Sequence, residues 1–334
     1  HKLKDYIDAE FAGEHKVKGK IEELRTWRVN ALESDFRRFD ASLRHGLTTL
    51  VGRRSELEKM LDVLNTANSG KAQVIDISGD AGLGKTRLVH EFRQRLAADK
   101  VMWLQGNCMS SGQGIPFLPF IEVVRSSFDI ADDTRQAAVE HQLRRGLDLL
   151  GLESDEGTPY LLNLLGFDVE GAAFTKEHAE IAGIRTRDLL YRLLMERAAV
   201  TPVILHIDDL HWLDRASEAL LVRMLAGAAD LPLLFLFTYR PEYDSPWDGE
   251  NIVIKLALTP LSTSSTAELL RSRLGVDDMP AELTRLVTEK AEGNPLFAEE
   301  IVNFLSERGD FDNVADGNIA SVDMHSLPVS LENL

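Results

Sequence analysis

The stretch SGDAGLGKTRL, residues Ser78–Leu88, constrains the fold of this chain more than any other feature. It follows the apolar run QVIDI and leads into VHEFRQRLAADK, which carries apolar residues at helical spacing. Gly79, Gly84, Lys85 and Thr86 fit G-x-x-x-x-G-K-[ST], a loop that joins a strand to a helix and cradles phosphate groups. The glycines let successive backbone N–H groups gather round a β-phosphate at the positive end of the helix dipole. Lys85 then neutralises β- and γ-phosphate charge, and Thr86 offers its hydroxyl to Mg2+. The run Gly79, Asp80, Ala81, Gly82, Leu83, Gly84, Lys85, Thr86 and Arg87 is therefore read as a binding set for a nucleoside triphosphate.

The rest of the chain agrees with a doubly covered parallel sheet. Strand-like and helix-like segments alternate from TTLVGRRSELEKMLDVLN onward. Strands are expected at Gln73–Ser78, Val101–Asn107, Val203–Asp208, Leu233–Thr238 and Ile252–Leu258, the longest apolar runs having the length of buried strands. A helical insertion is expected over about 120–199, broken at GLESDEGTPY and LLGFDVEGAAF. After LTPLS the pattern turns wholly helical, with STAELLRSRL, AELTRLVTEKA and PLFAEEIVNFLSE as amphipathic segments. At 334 residues the chain has room for about two domains of roughly 150 residues. The division expected is an N-terminal segment over 1–45, a core over 46–259, a small helical domain over 260–310, and the start of a truncated further domain over 311–334. The N-terminal segment carries two strand-like pieces, EHKVKG and LRTWRV, around Gly19.

A second acidic element decides which class of nucleotide chemistry the loop serves. In VILHIDDLHWLD an apolar strand ends in Asp208 and Asp209, one carboxylate near a metal shell and one able to orient or deprotonate an attacking water. Paired acids at a strand end suit hydrolysis, and the NKxD signature of guanine-nucleotide binding is absent from the chain. The next strand ends FLFTYRPEY. Arg240 there stands at the carboxyl end of a sheet strand, where ligands sit in this architecture, and could reach a γ-phosphate; a solvated arginine beside a proline turn is the alternative.

Composition excludes other classes. The formal net charge of −17 would repel a polyanionic backbone, which argues against a nucleic-acid partner. The single cysteine, Cys108, cannot form an internal disulfide, and no run is long and apolar enough to span a bilayer. A cytoplasmic protein without a membrane partner is expected. His206, within an apolar strand, reads as a core histidine, and Cys108 as a buried small residue. Arg185 and Arg187 read as a solvated helix face.

In order along the chain, LVGRRSEL, GDAGLGKTRL, VILHIDDLHWLD, FTYRPE and AEGNPLFAEEIVNFL resemble the successive motifs of the signal-transducing, AAA-like P-loop ATPases. The resemblance runs from Leu50 to about residue 305. It implies an α/β P-loop NTPase fold with a five-stranded parallel sheet in the order 5-1-4-3-2 and a C-terminal helical lid. It also implies an adenine nucleotide held between the turn Val51, Gly52, Arg53 and the turn Gly293, Asn294, Pro295. Asp208 would be the metal residue and Asp209 the catalytic base, with ATP or ADP and Mg2+ as ligands. Trp212 and Asp214 match the pattern too, in packing and capping roles.

The N-terminal GEHKVKGKIEELRTWRV resembles the closing strands of a class III adenylate or guanylate cyclase domain. That resemblance implies a native polypeptide in which a cyclase is fused to a regulatory ATPase, with a helical-repeat domain beyond residue 334. The cyclase metal aspartates and transition-state Asn and Arg have no counterpart in this chain. The expected function is an ATP-binding, slowly hydrolysing switch module of such a protein. Two alternatives stand beside it: the ATPase module of a DNA-binding transcriptional activator, and a nucleotide-binding scaffold that never turns over. Association with further copies of the chain stays open.

Overall fold

The computed structural model describes residues 7–15, 24–32, 48–96, 100–169, 178–275 and 281–307. The chain divides into two compact units, 1–49 and 50–334. In the first, β1 (Ile7–His15) pairs antiparallel with β2 (Leu24–Leu32), from Ile7 opposite Leu32 to His15 opposite Leu24. Of the first expected strand piece, Glu14 and His15 end β1, which begins earlier than expected at Ile7, and residues 16–19 lie outside the described residues.

The second unit is built on a five-stranded parallel sheet. Its strands are β3 (Gln73–Ser78), β4 (Met102–Asn107), β5 (Val203–Asp208), β6 (Leu233–Tyr239) and β7 (Val253–Ala257). The spatial order is β4-β5-β6-β3-β7, which read from β7 is 5-1-4-3-2 within this unit. Expected and observed strands agree to within one residue at each end. They were legible because a parallel strand covered on both faces is apolar without interruption. Every residue of β5 and β6 is buried, whereas the edge strand β7 is largely not.

Alternate residues of each strand feed two cores. On one face Ile75, Ile77, Ile204, Leu234 and Leu236 meet α1 (Arg54–Asn68) through Met60 and Leu64, and α2 (Lys85–Gln94) through Leu88 and Phe92. On the other, Val74, Leu205, Ile207, Phe235 and Phe237 pack in one cluster with helices of the insertion and with the helix after β5. These are α3 (Leu118–Ser127), α4 (Gln136–Leu149), α5 (Ser154–Leu164), α6 (Ala179–Val200) and α7 (Arg215–Gly227). The expected break at GLESDEGTPY is mostly helix: α5 already begins at Ser154. Gly157 and Pro159 read as breakers, yet Pro159 lies in the second turn, where its missing N–H removes a single early bond. Burial of Leu161 and Leu162 offsets that loss. Part of the second expected break, residues 170–177, lies outside the described residues.

After β7 the chain forms α8 (Thr263–Leu274), α9 (Ala281–Ala291) and α10 (Pro295–Glu307) around a third core of Leu269, Leu270, Leu283, Val287, Ala298 and Ile301. Ser262 caps α8, accepting from the N–H of Ser265 at 3.1 Å, and Gly275 closes it at φ 66°. Val51, far away in sequence, is buried in this same lid core. The expected further domain over 311–334 falls outside the described residues.

Candidate active site

The loop between β3 and α2 takes its shape from two glycines at positive φ, Gly82 at 81° and Gly84 at 91°, a region that costs other residues about 1 kcal/mol or more. Its carbonyls are all engaged. Lys85 Nζ donates to the carbonyls of Gly79 at 2.6 Å and Asp80 at 3.0 Å. Asn294 Nδ2 donates to that of Ala81 at 2.9 Å, the Leu296 N–H to Gly82 at 3.4 Å, and Arg53 Nη2 to Leu83 at 3.3 Å. Among the described residues, the N–H groups of Asp80, Ala81, Gly82, Gly84, Lys85 and Thr86 make no bond within the protein. A loop with its acceptors taken and its donors available, at the N-terminus of a helix, is built to receive an anion.

The acidic pair stands next to it at the end of β5. Asp208 is buried, and its Oδ1 accepts a hydrogen bond from the Thr238 hydroxyl on the neighbouring strand. The same hydroxyl oxygen accepts from the Asp209 N–H at 3.0 Å. Asp209 adopts the left-handed region, φ 59°, and its side chain is 47% exposed, so the two carboxylates serve different surroundings. Lys85 lies in the field of both. Burial lowers its pKa most; the Asp209 and Asp208 carboxylates oppose that, and the Arg240 charge adds to it. Arg240, exposed at the end of β6, is thereby within electrostatic reach of the loop lysine.

His211 belongs to the same cluster. Its Nδ1 lies 3.9 Å from Asp209 Oδ1, and its ring tilts against Trp212 with centroids 5.0 Å apart. Burial, then the charges of Arg240 and Lys85, push its pKa down to about 4, so the ring is neutral at ordinary pH. Cys108 is buried, and burial with the Asp208 and Asp209 charges drives its thiol far above the usual range, so it is no nucleophile. His206 is buried beside Asp208 at 4.0 Å.

A carboxylate on the opposite face of the sheet fixes the segment that follows Arg240. Asp76, fully buried in β3, accepts from Tyr239 Oη at 3.1 Å, Trp247 Nε1 at 3.2 Å and Ser245 Oγ at 3.5 Å, all on Oδ2. Burial pushes its pKa up to about 6. Asp214 caps α7, accepting from the N–H groups of Ala216 at 3.0 Å and Ser217 at 2.9 Å. Asn107, in register with Asp208, donates through Nδ2 to Glu122 of α3.

The two turns expected to hold the base converge on the Thr259–Ser262 connector. Gly52 at φ 69° would place a Cβ 2.9 Å from Ser265 Oγ, and Gly293 at φ 73° would place one 2.5 Å from the Leu261 carbonyl oxygen. The Leu261 N–H donates to the Gly293 carbonyl at 2.8 Å, and Arg53 Nη2 donates to that of Thr259 at 2.6 Å. Arg53 is thus committed to protein carbonyls and Glu56, and Arg87 pairs with Glu91 at 2.6 Å. Pro295 opens α10 beside these turns. Thr238 and the loop contacts of Asn294 and Leu296 had no signature in the sequence, because each acts on a residue distant along the chain. His211 stood within the quoted DDLHWLD but fitted no metal-ligand spacing.

Sheet order, phosphate loop and acidic strand end together define a P-loop NTPase fold. The chain belongs to the AAA ATPase domain family, whose model matches residues 49–236. A domain of unknown function, DUF8739, matches residues 262–319. A curated relative, an uncharacterised protein of Rhizobium meliloti (strain 1021), is 28% identical over 304 residues, covering 89% of this chain. The chain spans only 29% of that protein's length. Among solved structures, Drosophila ORC bound to DNA matches at TM-score 0.48 and 17% identity, over 86% of this chain and 65% of the other. A Signal Transduction ATPase with Numerous Domains carrying a tetratricopeptide repeat sensor, from Pyrococcus horikoshii, matches at 0.40 and 19%, over 75% and 29%. The E. coli MS115-1 HORMA:CdnC:Trip13 complex matches at 0.44 and 15%, over 89% and 90%. Among the described residues, no helix is long and apolar enough to cross a membrane.

Proposed function

We propose that this chain binds ATP with Mg2+ in the phosphate loop, hydrolyses it slowly, and serves as a switch whose ATP and ADP states differ in lid position. The observation that carries the reading is the convergence of Lys85, Asp208, Asp209 and Arg240 on a loop with its amides available. The donor set fits a nucleotide-bound Mg2+: a hydroxyl at Thr86 and a buried carboxylate at Asp208, hard oxygen ligands of the kind this ion prefers. When bound, the ion would draw charge from the phosphate oxygens. Lys85 would bind the β- and γ-phosphates, exchanging its carbonyl partners for them. Asp209, half-exposed, would orient the attacking water and take its proton. Arg240 would meet charge developing on the γ-phosphate. Pro295 and the Val51, Gly52, Arg53 turn would flank the adenine.

Measurement of retained nucleotide and steady-state phosphate release tests this. Lys85→Ala should lose adenine nucleotide, and Asp209→Asn should keep it while phosphate release stops. Bound nucleotide in the wild type without any phosphate release would refute hydrolysis and leave the scaffold. The antiparallel pairing of β1 with β2 is in keeping with the further reading that the chain is part of a cyclase fusion. That reading expects the native polypeptide to supply the cyclase metal aspartates upstream of this segment, and purified parent protein to form a cyclic nucleotide.

A further inference from the structure

We infer that Asn294 is a positioning residue that sets the Ala81 and Gly82 peptides of the phosphate loop and ties nucleotide occupancy to the seat of lid helix α10. The inference rests on the nucleotide-binding reading above.

Asn294 immediately precedes α10, and both ends of its side-chain amide are used. Oδ1 accepts from the Phe297 N–H at 3.3 Å, which is an N-cap, while Nδ2 donates across to the Ala81 carbonyl at 2.9 Å. The next free donor of the helix, the Leu296 N–H, reaches the Gly82 carbonyl at 3.4 Å. One helix end therefore holds two consecutive carbonyls of the loop. Because a peptide is planar, holding its C=O fixes the N–H on the other side of the same plane. The N–H groups so fixed are those of Gly82 and Leu83, and that of Gly82 is among those available to an anion.

The fit is reciprocal. A Cβ on Gly82 would lie 2.6 Å from Asn294 Oδ1 and 2.8 Å from Nδ2, so this glycine leaves the space Asn294 occupies. Rotation of α10 away from the loop would release both carbonyls at once. A phosphate that orders the loop would favour the docked helix by the same free energy.

The test separates capping from the loop contact. Asn294→Ser keeps a good N-cap but is too short to reach Ala81, and Asn294→Asp keeps the cap while replacing the donor by an acceptor. Affinity for ADP is measured by calorimetry, and amide exchange of residues 296–302 is followed with and without ADP. Asn294→Ser should weaken ADP binding about tenfold, the equivalent of one net hydrogen bond. It should also abolish the ADP-induced slowing of exchange at Leu296. Asn294→Asp should weaken binding further with the cap intact, and it carries the test if the serine variant does not fold. Wild-type affinity and wild-type ADP-induced protection in either folded variant would overturn the inference alone. A wild type that binds no adenine nucleotide would overturn the reading beneath it, and the inference with it.

Discussion

Replacing Asp76 by Asn should abolish a downward slope of stability with pH. The ordinary Asp value is 3.8 and that of Asp76 is about 6, with burial the leading cause. Between those two values the unfolded chain has released the proton and the folded chain still holds it. Stability therefore falls as pH rises from about 4 to about 6 and is level above about 7. At about 1.4 kcal/mol for each tenfold change in proton affinity, the loss amounts to about 3 kcal/mol. The donors of Tyr239, Trp247 and Ser245 converge on Oδ2, so an Asn with its carbonyl oxygen there keeps all of these bonds. Its NH2 would replace Oδ1, which Trp247 Nε1 approaches only at 3.4 Å. Urea unfolding of both proteins at intervals from pH 4 to pH 8, followed by tryptophan fluorescence, gives the difference at each pH and cancels the other carboxylates. Relative to wild type, Asp76→Asn should gain about 3 kcal/mol between the two ends. A difference independent of pH would show that Asp76 ionises as an ordinary carboxylate and that its burial is not what the geometry says.

Three further outcomes are expected. Gly293→Ala must hold Ala at φ 73° with Cβ 2.5 Å from the Leu261 carbonyl, a loss of about 2–4 kcal/mol that should appear as faster amide exchange over 281–302 before the sheet is affected. Asp214→Ala removes the cap of α7 and should lower stability by about 1–2 kcal/mol in urea unfolding, with Asp214→Asn restoring most of it. His211, held near 4, should show no NMR titration between pH 5.5 and 8, its resonance being assigned by His211→Gln; an inflection near 6.5 would show that the ring is neither buried nor faced by the Arg240 and Lys85 charges.

How much of this was legible in the sequence depended on distance along the chain. The strands announced themselves because Val203–Asp208 and Leu233–Tyr239 are buried on both faces and so admit few polar residues. The phosphate loop was legible because its chemistry demands glycine at φ 81° and 91° beside a lysine. Helix α5 was misread because local rules treat Gly157 and Pro159 as breakers without knowing where the helix starts or what Leu161 packs on. The contacts that finish the site have no period at all. Thr238 serves Asp208 from thirty residues on, and Arg53 reaches Thr259 across a separation of 206. Such pairs exist only once the sheet has brought strand ends together.

Val51 has a mechanical consequence. Its side chain lies in the hydrophobic cluster of α8, α9 and α10, although three residues later the chain starts α1 against the sheet. Any swing of those three helices as a body has to drag residues 51 and 52 along or tear Val51 out of an apolar environment. The short stretch between that lever and α1 would therefore be the place where such a swing is resisted.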